Sequence, residues 1–105
     1  MFRLFGFSLV RIRGASMRPL LQSGAYALFR PARRVRPGQV VLVEHLELGS
    51  IVKQVSTVSP QGLTLCGLSP ASVASEALGQ ISPTQVRGVL LTYTNPPRPS
   101  RLPQN

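Results

Sequence analysis

The sequence is short of the residues from which most functional sites are made. In 105 positions it has one cysteine, one histidine, one lysine, no tryptophan and three acids, Glu44, Glu47 and Glu76. A lone Cys66 excludes an internal disulfide. One His and one Cys cannot fill a tetrahedral shell, so no metal site is expected. A Cys–His protease would need His45 beside Cys66. His45 lies in the polar run Glu44-His45-Leu46-Glu47, which reads as an exposed turn. Cys66 ends Leu63-Thr64-Leu65-Cys66, where a thiol behaves as a small hydrophobe. No apolar run reaches the roughly 18 residues a membrane-spanning helix requires. The reading is a cytoplasmic protein without a transmembrane helix, soluble or held peripherally at a membrane.

Proline and glycine are plentiful instead. Ten Pro and nine Gly fall between apolar runs rather than inside them, the pattern of short strands joined by turns. The fold class expected is all-β. Strands are expected at Leu9–Arg13, Ala25–Phe29, Val40–Val43, Ser50–Val58, Leu63–Cys66 and Val86–Tyr93. The continuous β-branched run of Val40 to Val43 should be buried on both faces. Pro31 to Gly38 reads as a loop and Pro60-Gln61-Gly62 as a hairpin turn. The stretch from Gly67 to Pro83 is an irregular excursion or a short helix at Ala74–Leu78. One domain spans residues 1–94, and residues 95–105, with four Pro, form a disordered tail.

Eleven Arg and one Lys against three acids give a net charge of +9, a surface that attracts anions. Only Arg30, Arg33, Arg34 and Arg36 cluster, and no interleaved aromatics make a base-stacking platform, so nucleic acid is not an expected partner. The opening residues 1–10 are apolar but interrupted by Arg3. They read first as an edge of the folded domain, and second as a peripheral membrane contact through Phe2, Phe5 and Phe7.

Two positions carry chemistry. Lys53 is the only lysine in a chain that otherwise uses Arg, and it sits in Ile51-Val52-Lys53-Gln54-Val55. Strand alternation places it on the face of Ile51 and Val55. Burial there lowers an amine's pKa, and a neutral lysine accepts a proton, which an arginine does not. The ordinary alternative is an edge-strand lysine reaching to water. Ser16 sits in Arg13-Gly14-Ala15-Ser16-Met17-Arg18-Pro19-Leu20-Leu21 at a strand-to-turn transition. Such a place exposes a hydroxyl and a backbone N–H, the needs of a nucleophile and an oxyanion site. The ordinary alternative is a helix N-cap.

Together the segments resemble the signal-peptidase-type serine–lysine proteases. The family's Ser-Met-x-Pro-x-Leu box matches Ser16, Met17, Pro19 and Leu21, and its lysine box matches Ile51 to Val55, 37 residues after the Ser. Arg36-Pro37-Gly38-Gln39-Val40-Val41-Leu42-Val43 is similar to the family's Gly-Asp-Val-Val strand entry. Ser72 to Gly79 occupies the register of its Ser-x-Asp-Ser-Arg-x-x-Gly box, and Val86 to Val89 resembles its closing strand. The likeness covers Leu9 to Tyr93 and is nearest to the short members described as nickel-type superoxide dismutase maturation proteases. The chain departs from the pattern at Ala25, Gln39, Leu68, Ala74 and Glu76, where acids or their partners usually stand.

The resemblance implies a small coiled β-fold, shared with self-cleaving repressors, and a serine endopeptidase that removes a signal peptide or pro-peptide from a protein precursor. Ser16 would attack, Lys53 would be the base, and the Ser16 N–H would bind the oxyanion. Ser72 would orient the lysine, Met17 and Pro19 would lie beside the substrate, and no cofactor is implied. A self-cleaving repressor would carry a DNA-binding module before Ser16, which this sequence does not show. The alternative from another class is an inactive pseudo-protease serving as a basic binding module.

Overall fold

A computed structural model describes residues 1–14, 16–32, 34–68 and 79–97. Eight strands form one sheet: β1 (Phe2–Leu4), β2 (Phe7–Arg11), β3 (Tyr26–Arg30), β4 (Val40–His45), β5 (Gly49–Ser59), β6 (Gly62–Cys66), β7 (Gln80–Ile81) and β8 (Val86–Thr94). Their order across the sheet is β1-β2-β3-β8-β4-β5-β6-β7, and every pairing is antiparallel. The protein is all-β, as expected from the spacing of its apolar runs.

The sheet is organised about β4. Val40 and Leu42 point into one core with Ile12, Met17, Leu21, Ala25, Ala27 and Phe29. Val41 and Val43 point into a second core with Val55, Leu63, Leu65, Ile81 and Val89. A strand covered on both faces has no use for polar alternation, and this explains the unbroken Val-Val-Leu-Val run. The last strand, β8, pairs with β3 on one side and β4 on the other, and the register shifts at Leu28/Phe29 and at Leu42/Val43. These irregularities bend the sheet between its β1–β3 part and its β4–β7 part.

Three elements lie outside the sequence expectations. β7 falls in the stretch read as an irregular excursion. β1 extends the sheet by a strand, and Ser82 caps a single 3-10 turn, Pro83–Gln85, through a capping box in which the Gln85 side chain returns to the Ser82 N–H at 3.0 Å. The short helix expected at 74–78 lies outside the described residues. Asn95 and Pro96, expected within the tail, are held against the domain. Asn95 makes two hydrogen bonds to the turn after β2, and Pro96 lies over Gly24. An asparagine side chain supplies both a donor and an acceptor, and this ties down a segment whose prolines offer no backbone donor.

Candidate functional site

The turn that carries Ser16 grows out of the end of β2. Its neck is closed by two backbone bonds, Ile12 N–H to the Ala25 carbonyl at 2.7 Å and Gly24 N–H to the Ile12 carbonyl at 2.8 Å. Between them the chain makes one helical turn, with Leu21 N–H donating to the Met17 carbonyl at 2.9 Å. Ile12, Met17, Leu21 and Ala25 all point into the first core and fasten the turn from below. Met17, expected beside a substrate, is 1 % exposed, so it is an anchor of the turn and not part of its outer surface. Pro19 follows a cis Arg18–Pro19 peptide and is exposed.

Two distant segments complete the turn. Asn95, just past β8, accepts from Gln22 N–H through Oδ1 and donates from Nδ2 to the Leu20 carbonyl, both at 3.0 Å. Leu68 N–H donates to the Ser16 carbonyl at 2.8 Å. Ser16 itself is half-buried. Among the described residues its hydroxyl and its N–H have no hydrogen-bond partner, so it is not acting as the helix N-cap that a Ser in this setting commonly becomes. Neither Asn95 nor Leu68 was visible as a site residue in the sequence, because each acts over more than fifty positions and no local pattern announces it.

The clamp has a measurable consequence. Exposed hydrogen bonds contribute about 1 kcal/mol net, and in a domain of this size that corresponds to roughly 4–8 °C of thermal midpoint. Asn95→Ala is therefore expected to lower the midpoint by that amount in calorimetry. An unchanged midpoint would show that the turn is held by its core anchors alone.

Lys53 lies in the middle of β5, paired across to Val41 and flanked on its own face by Ile51 and Val55. It is 5 % exposed, the one charged side chain buried among the described residues. Removal from water disfavours the ammonium and lowers its pKa from the ordinary 10.5, while the nearby Cys66 sulfur opposes this by raising it. The edge-strand alternative, a lysine reaching into water, does not describe this residue.

The end of β6 neighbours both residues. Cys66 is close enough to Lys53 to act on its charge, and Leu68, two residues on, binds the Ser16 carbonyl. Among the described residues no hydrogen bond joins the two side chains directly. Ser72 lies outside the described residues. A Cys–His pair is excluded by register. Cys66 is opposite Gln54 on β5 and His45 is opposite Gly49, five strand positions or roughly 17 Å apart. Cys66 Sγ instead approaches Gln54 Oε1 at 3.8 Å, and His45 Nδ1 accepts the N–H groups of Glu47 and Leu48, both at 3.1 Å.

Residues 6–90 match the family described as Peptidase S24-like, and the chain belongs to that family. Searches of curated proteins and of solved structures returned no match.

Proposed function

We propose that the chain is a serine endopeptidase in which Ser16 is the nucleophile and Lys53 the general base, and that it trims a precursor protein or peptide. The observation that carries this reading is Lys53: a solitary lysine enclosed on an apolar sheet face, with burial pushing its pKa down. Holding a charged amine there costs stability, and a base for a hydroxyl is the use that repays it. Family membership supports the peptidase class, and the box around Ser16 supports its role as the nucleophile.

In the proposed cycle neutral Lys53 Nζ takes the Ser16 Oγ proton as the oxygen attacks the scissile carbonyl carbon. The negative oxygen of the tetrahedral intermediate accepts from the Ser16 N–H, which no described residue occupies. Collapse breaks the C–N bond, and the Lys53 ammonium returns its proton to the departing amine. Water then attacks the Ser16 ester, giving a proton to Lys53. Acid is released, and Ser16 Oγ recovers the proton. The short maturation proteases noted above supply the substrate class we favour, a pro-peptide ahead of a small residue.

The test is cleavage of quenched peptides carrying small residues on either side of the scissile bond, followed across pH. Only neutral Lys53 is a base, so kcat/KM should rise with pH through the lowered pKa of the amine and level off below 10.5. Stability should move the same way. Above the folded pKa and below 10.5 the unfolded chain binds more protons than the folded one, so the fold gains stability as pH rises through that window. A flat activity profile, or activity retained by Ser16→Ala, rejects the dyad.

A further inference from the structure

We infer that the outer face of the β1–β2–β3 end of the sheet is a docking surface for an anionic lipid membrane. The argument begins with register. β1 and β2 pair Phe2 with Leu9, Arg3 with Ser8 and Leu4 with Phe7. β2 and β3 pair Ser8 with Phe29 and Leu9 with Leu28. Ser8 and Phe29 are fully buried, so theirs is the core side. Phe2, Leu4, Phe7 and Leu9 are therefore turned outward together, with Leu28 continuing the row. Antiparallel sheets with one solvated face put polar residues there. This hairpin does the reverse, holding Arg3 and Ser8 on the inner side and its apolar residues outside.

The tip is more extreme. Phe5 and Gly6 both have positive φ, 52° and 82°, the geometry of a tight hairpin turn that favours Asn-Gly or Gly-Gly. A phenylalanine in this conformation is costly, yet Phe5 is 89 % exposed, so little packing against the described residues offsets the strain. Phe2 at 63 % and Leu4 at 55 % extend the same surface. Contiguous apolar exposure of this kind marks an interaction site.

Charge decides the occupant. From Met1 to Val43 the sequence has eight Arg and not one acidic residue. Arg11, which continues the outward row past Leu9, and Arg13 beyond it are exposed. A second copy of the chain brought face to face would set these arginines against their own counterparts, which repel. A bilayer carrying acidic headgroups meets both demands, since aromatic and aliphatic side chains enter the headgroup boundary while arginines pair with phosphates. The inference is independent of the proposed peptidase activity.

The probe is cosedimentation with vesicles of phosphatidylcholine alone and of phosphatidylcholine mixed with phosphatidylglycerol, using the full chain. Binding to the mixed vesicles should exceed binding to neutral ones by at least about tenfold and weaken as salt is raised. The informative variant is Phe5→Asn. Asn accepts the turn's positive φ, so its thermal midpoint should equal or exceed the parent's, while vesicle binding falls about tenfold or more. Equal binding by parent and variant, or no binding to anionic vesicles, overturns the inference. So does a concentration-dependent dimer that Phe5→Asn abolishes, which would make a second copy the occupant. Displacement from vesicles by a single-stranded oligonucleotide that itself depends on Phe5 would also overturn it.

Discussion

Lys53→Arg is expected to abolish peptide cleavage, lowering kcat/KM by at least roughly a thousandfold, and Ser16→Ala should do the same. Arginine keeps the positive charge and most of the stem, but it does not give up its proton near neutrality. Because the pair would act as a unit, the double variant should be no worse than either single one. The site is 5 % exposed, so a permanently charged guanidinium carries a desolvation cost of its own. Lys53→Met separates this from chemistry. Methionine fills the same space without an amine and should fold at least as stably, yet be equally inactive. It should also lose the rise in stability with pH that a buried titrating lysine produces. Wild-type turnover in Lys53→Met or Lys53→Arg would reject the dyad and favour a basic binding module.

A second large effect is expected at Gly88, where the two parts of the sheet join. Gly88 is opposite Leu42 on β4. A Cβ placed there would lie 2.8 Å from the Arg30 carbonyl oxygen and 2.9 Å from the Phe29 Cβ. Neither neighbour is the loose end of a long side chain, so the strands themselves would have to part. Overpacking of this kind costs about 1–3 kcal/mol, and each kcal/mol corresponds to about 4–8 °C of midpoint in a domain of this size. Gly88→Ala should therefore unfold well below the parent, and Gly88→Val lower still. A midpoint within a degree or two of the parent would show that β8 slides to make room and that the bend between the two cores is not fixed by this contact.

Much of the site's setting was legible in the sequence, for reasons that are local. Val40 to Val43 declared two-sided burial by lacking any polar residue, and β4 has a core on each face. The alternation around Lys53 gave its face correctly, because period two needs only neighbouring residues. Pro60-Gln61-Gly62 marked the hairpin between β5 and β6 through its turn chemistry alone. The misses are non-local or inverted. Asn95 looked like the start of a proline tail because its partners, Leu20 and Gln22, lie more than seventy positions away. Met17 was placed beside the substrate by motif likeness, but its position depends on how the whole turn sits over the first core. In β1 and β2 the usual assumption that an apolar stripe faces inward fails, since Phe2, Leu4, Phe7 and Leu9 face out. β7, two residues long, is too short to leave any periodicity.

The fastening of the Ser16 turn also fixes the order in which the protein can be completed during synthesis. Everything in the turn itself is translated within the first quarter of the chain, but its outer supports are not. The Ser16 carbonyl waits for Leu68, and Leu20 and Gln22 wait for Asn95, which is made after the last strand. A nascent chain still attached to the ribosome has its Ser16 turn unclamped until nearly the whole domain has emerged. Long-range closure of this kind is slow, so the Ser16 turn is the part of the domain completed last.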